Sequence, residues 1–183
     1  MISRQYTLII NHTKMYKITI IIIFIFGVYI VNGQDKNISF VIKNAGINVD
    51  GHFDKYTAHI SYNENNPNDA TFTGEIDVKS INTGNKMRDN ALQKVDYFDP
   101  QTYPNIKFKS KSVQKISKDL LKVSGYLTIK DVTKLIDFEV TIKNSGQKKV
   151  YFATLPLNRR NYRVGGKSII LSDDLKIFLK IED

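Results

Sequence analysis

The chain has 183 residues, 27 lysines and arginines against 18 aspartates and glutamates, no cysteine and no tryptophan. That length suggests one domain. The absence of cysteine excludes disulfides, thiolate metal sites and thiol nucleophiles, so the core alone must hold the fold, which a domain of this size can do. The positive surplus is spread as single lysines (Lys79, Lys107, Lys109, Lys122, Lys130) on the polar phase of alternating segments. That pattern reads as a solvated face that discourages edge pairing, and no nucleic-acid partner is expected from it.

The first element is an apolar run, ITIIIIFIFGVYIV at residues 18–31, preceded by Lys14 and Lys17 and followed by Asn32-Gly33-Gln34. A basic flank, a short apolar stretch and small residues after it predict a signal peptide over residues 1–33 with cleavage before Gln34. The expected localisation is therefore periplasmic, with secretion as the alternative. A membrane anchor is the competing reading, but spanning takes about twenty apolar residues and no basic cluster follows this run. Met15 serves as well as Met1 for the start of such a leader.

From Ile38 the dominant period is two, and residues 34–183 are expected to form one domain of about eight or nine strands. Phe40 and Ile42 share one face, then Ile47 to Phe53, then Tyr56 to Tyr62; NENNPN at residues 63–68 is a turn sequence. Phe72, Gly74, Ile76 and Val78 share a face of the next strand. The period then changes: Met87, Ala91, Leu92 and Val95 fall at the spacing of a short amphipathic helix, ended by Tyr97-Phe98-Asp99-Pro100. Alternation returns over Asn105–Ile116, Leu120–Lys130, Leu135–Lys143, Lys148–Leu157 and Leu175–Ile181, with hairpin-like separators between them. Such an antiparallel meander splits into a sandwich or curls into a barrel.

In a barrel of roughly eight strands, the inward phase holds Phe40, Phe53, Ile60, Phe72, Ile106, Phe108, Val123, Leu127, Phe138 and Val140. Gly51, Ala58, Gly74, Ser110 and Gly125 sit among them, and small inward residues leave volume for an apolar ligand. The glycines equally suit bends in a curved sheet with a solid interior, and pattern alone leaves hollow and solid readings open.

Several motifs in order make the chain similar to a known family. They are Gly51-His52-Phe53, Ser80-Ile81-Asn82-Thr83-Gly84-Asn85 with Arg88-Asp89, Asp96-Tyr97-Phe98-Asp99, Tyr103 to Ser110, Val123 to Thr133, and Asn158-Arg159-Arg160-Asn161-Tyr162. They resemble the YceI-like family of bacterial exported polyisoprenoid-binding proteins. The resemblance implies an all-β, eight-stranded antiparallel lipocalin-like barrel with one short helical insertion near its mouth. Its apolar tunnel would hold an isoprenoid, a quinone or another long-chain lipid, often in a homodimer and with transient membrane contact. The chain departs from the pattern at Asn161, usually Asp, and at Asp131 and Arg163, both usually Gly.

On that frame the strand residues above, together with Ile76, are expected to line the tunnel, with Met87, Leu92 and Phe98 of the insertion facing its mouth. Asn158 and Arg159 are the polar candidates at the rim. The arginine suits a head group by bidentate hydrogen bonds, or instead fixes its own turn. Arg88 and Asp89 suit a salt bridge or a cap. His52 and His59 lie on the polar phase with no clustered carboxylate, so no metal is expected. No nucleophile–base set is visible, which points to a binding protein with no cofactor beyond the lipid. The rivals are an enzyme acting on a lipid and a solid-core structural module.

Overall fold

The computed structural model describes residues 37–182; the predicted signal peptide, residues 1–33, lies outside them. Among the described residues no helix is long and apolar enough to cross a membrane. Alternation becomes ten strands: β1 (Ile38–Asn44), β2 (Ile47–Phe53), β3 (Tyr56–Ser61), β4 (Thr71–Asp77), β5 (Ile81–Asn82), β6 (Asn105–Ser117), β7 (Leu120–Ile129), β8 (Val132–Ser145), β9 (Lys148–Asn158) and β10 (Leu171–Glu182). A single helix, α1 (Lys86–Leu92), lies between β5 and β6.

The strands form one antiparallel sheet in the order β3-β4-β6-β7-β8-β9-β10-β1-β2-β5. Consecutive hairpins carry the meander from β6 to β10, and β10 then pairs with β1, bringing the two ends of the described chain side by side. Period-two burial is clearest in β7, where Leu121, Val123, Gly125, Leu127 and Ile129 are buried and the residues between them are not.

Two features correct the expected eight-stranded closed barrel. There are ten strands, and the ladder is an open one that ends on β3 and β5. The cause is local. The chain bends at Asp54-Lys55 between β2 and β3, and a 3-10 turn at Val78–Ser80 separates β4 from β5. The Asp77 carboxylate caps that turn by accepting from the Lys79 N–H at 2.9 Å. The two breaks divide the pairing, so that β2 pairs with β1 and β5 while β3 pairs only with β4. A few bonds tie the two breaks together: Asp54 N–H to Ser80 O at 3.1 Å, Asp77 N–H to Lys55 O at 3.0 Å, and Lys55 N–H to Ser80 Oγ at 3.0 Å.

The helical insertion is shorter than its pattern suggested. Asn85 caps α1 by accepting from the Arg88 N–H at 3.1 Å, and the helix stops at Leu92. Two turns place Arg88, Ala91 and Leu92 on the inner side, at the i, i+3, i+4 spacing of one face. Met87 is off that face and 80 % exposed. Val95 lies beyond the helix and is exposed too.

Candidate functional site

The inward side chains form two buried clusters. One surrounds Phe40, Phe53, Ile81, Ile106 and Tyr162 beside α1; the other holds Phe72, Val113, Leu121, Val123 and Tyr151 where β6 turns into β7. Between and within them the interior is hollow. A first cavity of about 160 Å³ runs among β3, β4, β6, β7, β8, β9 and β10, lined by no charged side chain. That is the size at which a dry apolar hole in a protein accepts a benzene ring. A second cavity of about 270 Å³ lies under α1 and the segment before β10. Phe40, Phe53, Ile106, Ile129, Leu157 and Ile177 line both.

The hollow does not arise where the glycines alone would put it. A Cβ on Gly51 would sit 2.2 Å from Cζ of Phe40, its cross-strand partner, and one on Gly125 would sit 2.4 Å from Cζ of Phe108. Both rings lie against the backbone of a glycine and fill the space that its missing side chain leaves. Gly74 differs: a Cβ there meets nothing closer than the Thr57 carbonyl oxygen at 3.8 Å. Gly74 pairs with Ala58, and both line the first cavity. Open volume therefore comes from the small pair on β3 and β4.

Most of the residues expected to line a tunnel do face these spaces. Phe40, Phe53 and Ile106 border both cavities. Ile60, Phe72, Ile76 and Phe108 line the first, as do Leu127, Phe138 and Val140. Leu92 and Phe98 line the second, with Phe98 edge-on to Phe53 at 6.4 Å between ring centres. Two fall elsewhere: Met87 is in solvent, and Val123 is fully buried in the second cluster without bordering a cavity. Asn158, expected at the rim, is half-buried at the end of β9 and borders neither cavity. Val123 has the inward phase, and Val113, its cross-strand partner on β6, is buried in the same cluster.

Arg159 borders the second cavity and is only 6 % exposed, yet its guanidinium is fully committed. Arginine has five N–H donors. Nε donates to the Ser172 carbonyl at 2.9 Å, one terminal nitrogen to Val164 O at 2.9 Å and Gly166 O at 3.0 Å, and the other to Leu171 O at 3.4 Å and Asp173 Oδ1 at 2.6 Å. The side chain thus gathers the segment between β9 and β10. Gly165 closes the clamp: its φ is +70°, and a Cβ would lie 2.8 Å from both an Arg159 nitrogen and the Tyr97 ring. Asn158 is held likewise, donating to Asp174 Oδ1 at 2.7 Å and accepting from the Arg160 N–H at 3.0 Å. Asp173 and Asp174 are these anchors on β10.

Polar side chains near α1 serve the backbone. Asp89 Oδ1 accepts from the N–H and hydroxyl of Thr83 at 2.9 and 2.6 Å, while Arg88 donates to Thr83 Oγ1 at 2.8 Å and Thr83 O at 2.7 Å. His52 Nε2 lies 3.0 Å from Asp54 Oδ1, and its side chain is mostly buried; His59 is exposed. Asp131 and Arg163, the two departures from glycine in the resembled pattern, are joined at 2.7 Å, and Arg163 keeps the left-handed backbone (φ +57°) that favours glycine. Among the described residues no group of three His, Asp or Glu gathers as a metal site.

Two polar groups on the second cavity were not anticipated. Tyr162, 2 % exposed, and Asn44, at the end of β1, both line it. The Tyr162 hydroxyl and Asn44 Oδ1 are buried and meet no hydrogen-bond partner among the described residues. Burial raises the Tyr162 phenol above the ordinary value of 10.0, so it stays protonated. The one available signal was the position of Tyr162 at the end of the Asn158-Arg159-Arg160-Asn161-Tyr162 motif; nothing in the sequence marks Asn44.

Comparison with known proteins agrees with this architecture. The chain is 30% identical over 116 residues to a UPF0312 protein of Photorhabdus laumondii, covering 63% of this chain and 60% of that relative, less than two thirds of its length. It is 30% identical over 141 residues to a UPF0312 protein of Staphylococcus aureus, covering 73% of this chain and 80% of that one. Among solved structures it is similar to BcnA of Burkholderia cenocepacia (TM-score 0.76, 26% identity, 80% of this chain and 94% of that one). A polyisoprenoid binding domain from Saccharophagus degradans, implicated in plant cell wall breakdown, shares the fold at 18% identity (TM-score 0.65, 81% and 94% covered). The YceI-like domain model matches residues 29–182, and with this fold and these motifs the chain belongs to the YceI-like family.

Proposed function

We propose that this chain binds a long hydrophobic molecule, an isoprenoid, quinone or other lipid, and stores or carries it outside the cytoplasm. The observation that carries the proposal is the first cavity, enclosed by aliphatic and aromatic side chains with no charge on its wall and continued past Phe40 and Phe53 by a second. In such a site each methylene withdrawn from water contributes about 0.8 kcal/mol, so a tail binds without many directional contacts. The fold shared with a polyisoprenoid binding domain supports the same ligand class. Neither cavity is lined by Asp, Glu, His or Lys, which favours burial over acid–base chemistry on a lipid. Ile169 and Ile170 are exposed, and Ile170 also borders the second cavity, which suits loading during transient membrane contact. The leader-like segment supports export, with the periplasm as the destination.

The test fills the hollow. Gly74→Leu places an isobutyl group where the wall is open, and is expected to keep the thermal midpoint while abolishing co-purification of lipid. Organic extraction of the native full chain followed by mass spectrometry reads the result. A stoichiometric lipid on the wild type, lost from the variant, supports the proposal; an empty wild type, or a variant that retains its lipid, overturns it.

A further inference from the structure

The second cavity is not greasy throughout. It carries a phenol hydroxyl and an amide oxygen, both buried and both without a partner among the described residues. Folding withdraws such groups from water, and the cost is recovered only if something in the cavity bonds to them. Of the two cations on the cavity wall, Arg159 is fully engaged and Arg88 in part. Every N–H of Arg159 has an acceptor, and one of these is the Asp173 carboxylate. Arg88 directs Nε and one terminal nitrogen at Thr83. An anion would also face Asn44 Oδ1, an acceptor with no proton to offer.

From these placements we infer that the second cavity selects a neutral, oxygen-bearing head group, a hydroxyl, phenol or carbonyl, through Tyr162 and Asn44. The Tyr162 hydroxyl donates to the ligand oxygen, and Asn44 Oδ1 accepts a hydroxyl proton where the head has one. The tail extends past Phe40 and Phe53 into the first cavity. This inference rests on the carrier reading and adds polarity and direction to it: head toward α1, tail toward the turn joining β6 and β7.

The experiment uses the purified full chain and displacement of a fluorescent apolar probe by three competitors: geranylgeraniol, the hydrocarbon of the same carbon count, and geranylgeranyl phosphate. The wild type is expected to prefer the alcohol over the hydrocarbon by about tenfold, the ratio one net hydrogen bond gives. Tyr162→Phe should bring that ratio close to one without weakening the hydrocarbon. Its ligand-free thermal midpoint should match or exceed that of the wild type, since a buried unpaired hydroxyl is gone. Asn44→Leu reads the same ratio from the other side if Tyr162→Phe does not fold. Equal wild-type affinity for alcohol and hydrocarbon, or an unchanged ratio in the variants, overturns the head-group assignment and leaves the carrier reading standing. A preference for the phosphate also overturns it and points to Arg88. Failure of all three competitors to displace the probe removes the carrier reading itself.

Discussion

Replacing Arg159 by lysine separates a structural arginine from a head-group ligand. Lysine keeps the charge but offers three donors where five are in use. The contact with Leu171 O, at 3.4 Å, is the longest and contributes least. Of the remaining acceptors, the carbonyls of Ser172, Val164 and Gly166 and the Asp173 carboxylate cannot all be reached by one ammonium. One or two carbonyls are then stranded, each at about 1–3 kcal/mol where water does not reach. The Asp173 side chain is 45% exposed, so loss of that ion pair adds little. The expected total is about 2–4 kcal/mol, which for a domain of this size lowers the thermal midpoint by roughly 5–15 °C. Differential scanning calorimetry measures this, and displacement of an apolar probe below the lowered midpoint should show nearly unchanged lipid affinity. Wild-type stability with lost affinity for anionic-headed lipids would show that the arginine has a donor to spare for ligand.

Gly125→Ala would put a methyl 2.4 Å from Phe108 Cζ and 2.7 Å from the Lys109 carbonyl oxygen; chemical denaturation should show a loss of about 1–3 kcal/mol. Gly74→Ala, with room around it, should be neutral or gain about 0.4–1 kcal/mol by restricting the unfolded chain. Burial raises the phenols of both Tyr62 and Tyr162, with the Glu64 carboxylate adding to the effect at Tyr62. Above pH 10.0, the ordinary tyrosine value, the unfolded chain therefore loses protons that the folded one retains, and stability falls as pH rises through that window. Urea midpoints followed from neutral to alkaline pH should drop, and Tyr162→Phe should drop less steeply.

Alternation made the strands and inward faces legible, because a half-buried strand exposes every second side chain. The break at Asp54-Lys55 was legible too, but the one at Val78–Ser80 was not, since it follows from how the sheet meets itself and not from any strong turn sequence. Glycine on the inner phase was half informative. Gly74 opens space, but Gly51 and Gly125 seat aromatic rings, and only the register that sets Phe40 against Gly51 distinguishes these cases. Arg159 could be read as a head-group ligand or as the brace of its own turn, and the sequence did not decide, because its four carbonyl partners leave no trace in side-chain identity. Asn44 was invisible for a related reason: an amide two residues after Ile42 is typical of a hairpin end, and nothing local says that its oxygen is enclosed.

Phe40, Phe53, Ile106, Ile129, Leu157 and Ile177 border both hollows, so apolar side chains stand where the two meet. Such a partition yields by rotation, and turning a packed ring out of its preferred well costs of order 0.5–1.5 kcal/mol. A guest short enough for one chamber never meets that cost, and a longer one meets it once, however much farther it reaches. Affinity plotted against guest length would accordingly climb, pause at the doorway and climb again.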